Sequence, residues 1–208
     1  MQTRRQNDSN ALRLPPESRE SRRRLVGTIA LGDAAVTRFN RLLAQIAPDA
    51  PSVSADQWVT LARWLQQQPQ EQAVAILSER LGRAELLRRM LDDGDWDVRA
   101  DTRERARMLT SYLQQVDDLI PDDQPLVGHL DDALLVELSW PTFEGEFSDY
   151  ADFCRYRTAE RPRGSPAERR LAWESACVAE AALLQQRRQV RSRHYVASPR
   201  LPDFLRVV

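Results

Sequence analysis

The chain has no lysine; all 30 of its basic residues are arginine. GC-rich coding and bidentate pairing with carboxylates both explain such usage. Its only cysteines, Cys154 and Cys177, fall within helical patterns and not at metal-ligand spacing, so they read as buried reduced thiols. Two histidines, His129 and His194, stand far apart with no partner at ligand spacing, which argues against a histidine-based hydrolase or a zinc site. No GxGxxG, Walker loop, HExxH, GxSxG or CxxC pattern is present, so the common nucleotide-binding, metalloprotease, esterase and redox classes lack their signatures. Glycine is scarce, with seven residues and no Gly/Pro period, and Ala, Leu, Arg, Glu and Gln abound. Those straight-chain residues lose little rotamer freedom in a helix, and the expectation is an all-α protein. The first two dozen residues lack the apolar core of a signal peptide, which sets the cytoplasm as the expected location.

What the chain does have is a segregated charge. The net charge is −1. Residues 1–24 nevertheless hold seven Arg against three acids, and residues 155–208 hold twelve Arg against five. The middle is therefore strongly acidic. Basic ends suit an anionic partner, nucleic acid or an acidic membrane surface, and they equally suit folding back onto the acidic middle. The candidate anion-contacting residues are Arg22, Arg23 and Arg24 at one end, with Arg187, Arg188, Arg191 and Arg193 at the other.

Residues 1–24 are polar, Arg-rich and broken by Pro15 and Pro16, and read as a disordered arm. A helical domain is expected over 25–161. Val36, Phe39, Leu42, Leu43 and Ile46 carry helical spacing from Asp33 until Pro48. Ser54 with Gln57 forms a capping box ahead of Trp58, Leu61 and Leu65. Pro69 opens a third helix, expected to stop near Gly82, and Ala84–Leu91 a short fourth. The acidic turn from Asp92 to Asp97 resembles a calcium loop in composition but lacks the distal bidentate acid, so it reads as a helix-ending turn. Thr102–Asp117 resumes helical spacing until Pro121 forces a break. Pro125 suits the first turn of a further helix, with Pro141 just beyond its end. Phe143, Phe147, Tyr150, Phe153 and Tyr156 recur at three- and four-residue steps, as a core face or as a stacking surface for bases. After a loop over 162–166, a long helix is expected over 167–194, followed by a tail over 195–208.

The motif-like stretch is DLIPDDQPLVGHLDD, Asp118 to Asp132. Its acids Asp118, Asp122, Asp131 and Asp132 are the candidate chemistry. On a helix, Asp131 has Val127, Gly128, Leu134 and Leu135 as its three- and four-residue neighbours, so its carboxylate meets an apolar face. An unpaired charge there costs several kcal/mol. One reading ties Asp131 to backbone N–H groups of the 121–125 turn, or to Arg105 or Arg107; another makes the four acids a divalent-metal site of hard oxygen ligands, and a third gives them proton-transfer work.

Asp118-Leu-Ile-Pro121-Asp122, then Pro125, Gly128 and Asp131-Asp132, resemble the signature of the YkvA-like domain of unknown function. The resemblance spans about Leu109 to Leu138, under a fifth of the chain. It implies a helical hairpin whose elbow is shaped by Pro121, Pro125 and Gly128. Two features depart from the pattern: Val116 stands where relatives carry proline, and Asp123-Gln124 where they carry apolar residues. Relatives are often associated with membranes. A helix over 125–140 would be about 24 Å long, short of a hydrocarbon core of about 30 Å, and each acid near its centre would add roughly 2.5–3.5 kcal/mol. No transmembrane span is expected, and attachment through the Arg-rich ends at the inner membrane is the remaining route.

These observations combine into a helical bundle around a YkvA-like hairpin with a disordered N-terminal arm. The expected role is a non-catalytic interaction or scaffold module with a protein partner and no cofactor, the alternatives being a divalent-metal-dependent enzyme and an anionic-surface binder.

Overall fold

The computed structural model describes residues 12–16, 25–26, 29–114, 119–120, 124 and 126–193. Among them the protein is all-helical apart from one two-residue pairing, in which β1 (Leu25–Val26) runs antiparallel to β2 (Ile29–Ala30) with Leu25 opposite Ala30. The helices are α1 (Asp33–Ile46), α2 (Ala55–Gln66), α3 (Gln70–Asp92), α4 (Ala100–Tyr112), α5 (Leu130–Glu160) and α6 (Pro166–Arg193). The chain divides into two compact units, Met1–Asp152 and Phe153–Val208.

In the first unit the amphipathic pattern of α1 buries Val36, Phe39, Leu43 and Ile46. Both halves of the α2 capping box form: Gln57 N donates to Ser54 Oγ at 3.3 Å, and Ser54 N donates to Gln57 Oε1 at 2.9 Å. Phe39 meets Trp58 edge-on at 4.9 Å, joining the two helices in the core. Helix α4 packs on α1 and α3, and α3 also on α2. Every residue from Leu130 to Val136 is buried. A helix segment apolar on nearly all sides must be covered on all sides, so the first two turns of α5 form the centre of this unit.

Four boundaries differ from the sequence reading. Helix α3 runs through Gly82 without a break. A glycine in a helix interior costs only about 0.5–1 kcal/mol relative to alanine, and buried Arg80, Ala84 and Leu87 on either side outweigh it. Helix α5 likewise passes through Pro141, although proline removes a helical hydrogen bond. Contacts made by Glu137 and Glu146, with buried Phe143 between them, hold the chain helical across the ring. Helix α4 ends at Tyr112, earlier than expected, and the helix expected from Pro125 begins at Leu130 after turns over 126–129. Leu126 there adopts a left-handed φ of 67°. Within the arm read as disordered, residues 12–16 are described and docked: Leu12 is buried, and the Pro15 carbonyl accepts a hydrogen bond from Gln57 Nε2 at 2.7 Å.

The aromatic series follows the core reading at Phe143 and Phe153, which are buried, whereas Phe147, Tyr150 and Tyr156 are half-buried. Phe143 is fully buried, while Trp140, Phe147 and Tyr150 form a chain of tilted ring contacts at 5.3 and 6.3 Å that reaches Trp96. In the second unit Phe153 meets Trp173 of α6 edge-on at 5.9 Å, and the Arg157 guanidinium lies 5.3 Å from the Phe153 ring centre. Helix α6 opens with a capping box in the segment expected to be loop: Ser165 N donates to Glu168 Oε2 at 2.7 Å, and Glu168 N donates to Ser165 Oγ at 3.4 Å. Pro166 fits the first helical position, where its missing N–H is no loss.

Candidate functional site at the Asp131 carboxylate

Asp131 is fully buried on the first turn of α5. Its Oδ2 accepts from Leu119 N at 2.9 Å, from Ile120 N at 3.4 Å and from the Tyr112 hydroxyl at 3.1 Å. Three donors on one oxygen tie the end of α4, the 119–120 segment and the start of α5 together. Leu119 and Ile120 are themselves buried, so their amides have no water to turn to and the carboxylate supplies the acceptor they need. The amides lie just ahead of the 121–125 turn named in the sequence reading. Residues Asp118, Pro121, Asp122 and Pro125 lie outside the described residues.

Asp132 is also buried, with His129 Nδ1 3.7 Å from its Oδ2 and the histidine half-exposed. Gly128 is buried, and its N–H donates to the Gln124 carbonyl at 3.0 Å within the turn that precedes α5. Among the described residues no three His, Cys, Asp or Glu side chains converge as a metal-binding group. The Oδ2 environment of Asp131 does not fit a hard cation, since three hydrogens already point at that oxygen and a metal would have to displace them.

Further acids on α5 repeat the arrangement. Glu137 Oε2 accepts from Arg80 Nε at 3.1 Å and from an Arg83 guanidinium nitrogen at 3.0 Å, with Arg80 almost wholly buried. Glu146, also buried, accepts from Trp96 Nε1 at 3.2 Å and from Arg99 Nε at 2.6 Å. That hydrogen bond raises the Arg99 guanidinium further above its ordinary pKa. Tyr150 donates to Asp93 Oδ2 at 3.0 Å, and the other Asp93 oxygen accepts from Asp95 N, so the acidic turn is an Asx turn fastened to α5. The sequence reading missed these ties; the detectable signal was Glu137 following the apolar run Ala133–Val136 and Glu146 set between Phe143 and Phe147.

Tyr112 and Leu119, two of the residues tied to Asp131, also line a groove of about 390 Å³ together with Phe39, Leu42 and Met108. The carboxylate thus fixes one wall of a groove of mixed polarity, to which Arg38, Gln45 and Ser111 also contribute. Of the basic candidates, Arg187, Arg188 and Arg191 are exposed on α6, while Arg22, Arg23, Arg24 and the Arg193 side chain lie outside the described residues. No helix among the described residues is long and apolar enough to cross a membrane. Comparison of the chain with protein-family models, with curated proteins and with solved structures found no match.

Proposed function

We propose that this protein is a non-catalytic interaction module: a YkvA-like hairpin forms its rigid part and α6 presents its docking surface in the cytoplasm or at the inner face of the membrane. One observation carries the reading. Every residue of α6 from Val178 to Arg191 is exposed, and five large apolar side chains stand out on that helix: Leu171, Val178, Leu183, Leu184 and Val190, between 47% and 71% exposed. Exposed apolar side chains gathered on one element mark an interaction surface. Three carboxylates of α5, by contrast, are spent on joining elements. Asp131, Glu137 and Glu146 each hold two or more donors, which suits a scaffold better than a proton-transfer site.

A photo-crosslinking residue placed at Val178 in the native cell tests this. The expected result is a small number of discrete adducts that vanish when Leu183→Arg is introduced. A chain that gives no discrete adduct, or one with metal-dependent turnover abolished by Asp131→Asn while its fold persists, would overturn the reading.

A further inference from the structure

Resting on the interaction-module reading, we infer that the partner of α6 is a second copy of the same helix, packed antiparallel. Between Leu171 and Leu184 the helix carries only two charged residues, Glu174 and Glu180, yet it is largely exposed. Ala172, Ala176, Ala179, Leu183, Gln186 and Val190 follow one another at alternating four- and three-residue steps, the heptad spacing that forms a single seam on a helix. The last five are exposed, Leu183 at 56% and Val190 at 47%. The three alanines let two helix backbones approach closely, and the seam of 19 residues is about 28 Å long.

Charge decides the occupant and its direction. The half of α6 before Leu183 carries three acids and two Arg, whereas Leu183–Arg193 carries four Arg and no acid. A parallel pair would set four Arg against four Arg; an antiparallel pair sets them against the acidic half and also opposes the two helix dipoles. Glu180 and Arg187, seven residues apart, flank the seam on the same side. Among the described residues neither has an ion-pair partner, and Arg188 and Arg191 have none either. In the antiparallel arrangement Glu180 of one copy faces Arg187 of the other, twice by symmetry. A nucleic acid would answer the arginines but not the apolar run that precedes them. A second copy answers the arginines and also covers Leu183 and Val190 on the seam.

Analytical ultracentrifugation of the full chain over a concentration series, with charge-reversal variants, tests the inference. The expected result is a reversible dimer that Leu183→Arg weakens at least tenfold, that Glu180→Arg alone and Arg187→Glu alone each weaken, and that the double exchange restores. Both charged positions are exposed, so the variants leave the folded chain intact, as circular dichroism would confirm. A dimer indifferent to Leu183→Arg, or single-reversal losses that the double exchange does not repair, would overturn the antiparallel pairing. A chain monomeric at every concentration overturns the second copy as occupant. If such a monomer binds a short DNA duplex or acidic phosphatidylserine vesicles, the face belongs to an anionic partner; if it dimerises only after residues 194–208 are removed, the face belongs to the chain's own tail. Discrete crosslinks from Val178 to other proteins in that case would leave the interaction-module reading standing without self-association, whereas their absence would remove both.

Discussion

Asp131 shows how one carboxylate can hold a bundle together. Replacing it with alanine leaves Leu119 N, Ile120 N and the Tyr112 hydroxyl short of their acceptor in a buried site, a loss of about 3–5 kcal/mol. Thermal melts of Asp131→Ala should show that loss equally with EDTA and with Mg²⁺ or Mn²⁺ present. A stability difference that appears only with a metal ion would instead assign the carboxylate to a cation. Tyr112→Phe removes a single hydrogen bond to the carboxylate and should cost about 1.5–3 kcal/mol by urea denaturation. That the side chain meets an apolar face was legible from its neighbours in sequence. Which donors would reach it was not, because Tyr112 stands 19 positions away and on another helix.

At the scale of elements, punctuation residues proved weaker than burial. Gly82 is exposed in the interior of α3, and a Cβ built there meets nothing within 4 Å. Gly82→Ala should therefore raise stability by about 0.5–1 kcal/mol, measured as a shift in the denaturation midpoint at constant slope. Glu85 on the same helix is held down at about 2, chiefly by the hydrogen bond from Arg88. Glu168 lies below the usual carboxylate range because the Ser165 N–H and hydroxyl donate to it. For both acids the folded pKa is depressed, so their contribution is complete above the ordinary value of 4.5 and is lost as pH falls below it, down toward 2 for Glu85. An NMR carboxyl titration should place the Glu85 midpoint near 2, and Glu168→Gln should remove the acid-induced fraying of the first turn of α6. The Ser165–Glu168 box had a readable sequence signature; α3 through Gly82 and α5 through Pro141 did not, since their continuity rests on contacts with residues some fifty positions away.

For the whole molecule, α5 and α6 show opposite outcomes. The start of α5 is covered on every side, whereas α6 is uncovered from Val178 onward, its apolar side chains included. Hydrogen exchange should reflect this: amides of Leu130–Val136 should be the last to exchange, while those of Val178–Arg191 exchange early in dilute protein and gain protection as concentration rises. Protection of α6 that does not change with concentration would count against self-association.

Composition and periodicity alone determined the helical class, the amphipathic faces of α1 and α2, the α2 capping box and the apolar setting of Asp131, because each depends on residues within one or two turns of one another. Only the tertiary structure decided that Gly82 and Pro141 lie inside continuous helices, that Glu137 and Glu146 clamp distant arginines, and that α6 is left exposed. Those outcomes depend on which segments the fold brings together across dozens of residues, and a local pattern carries no record of that.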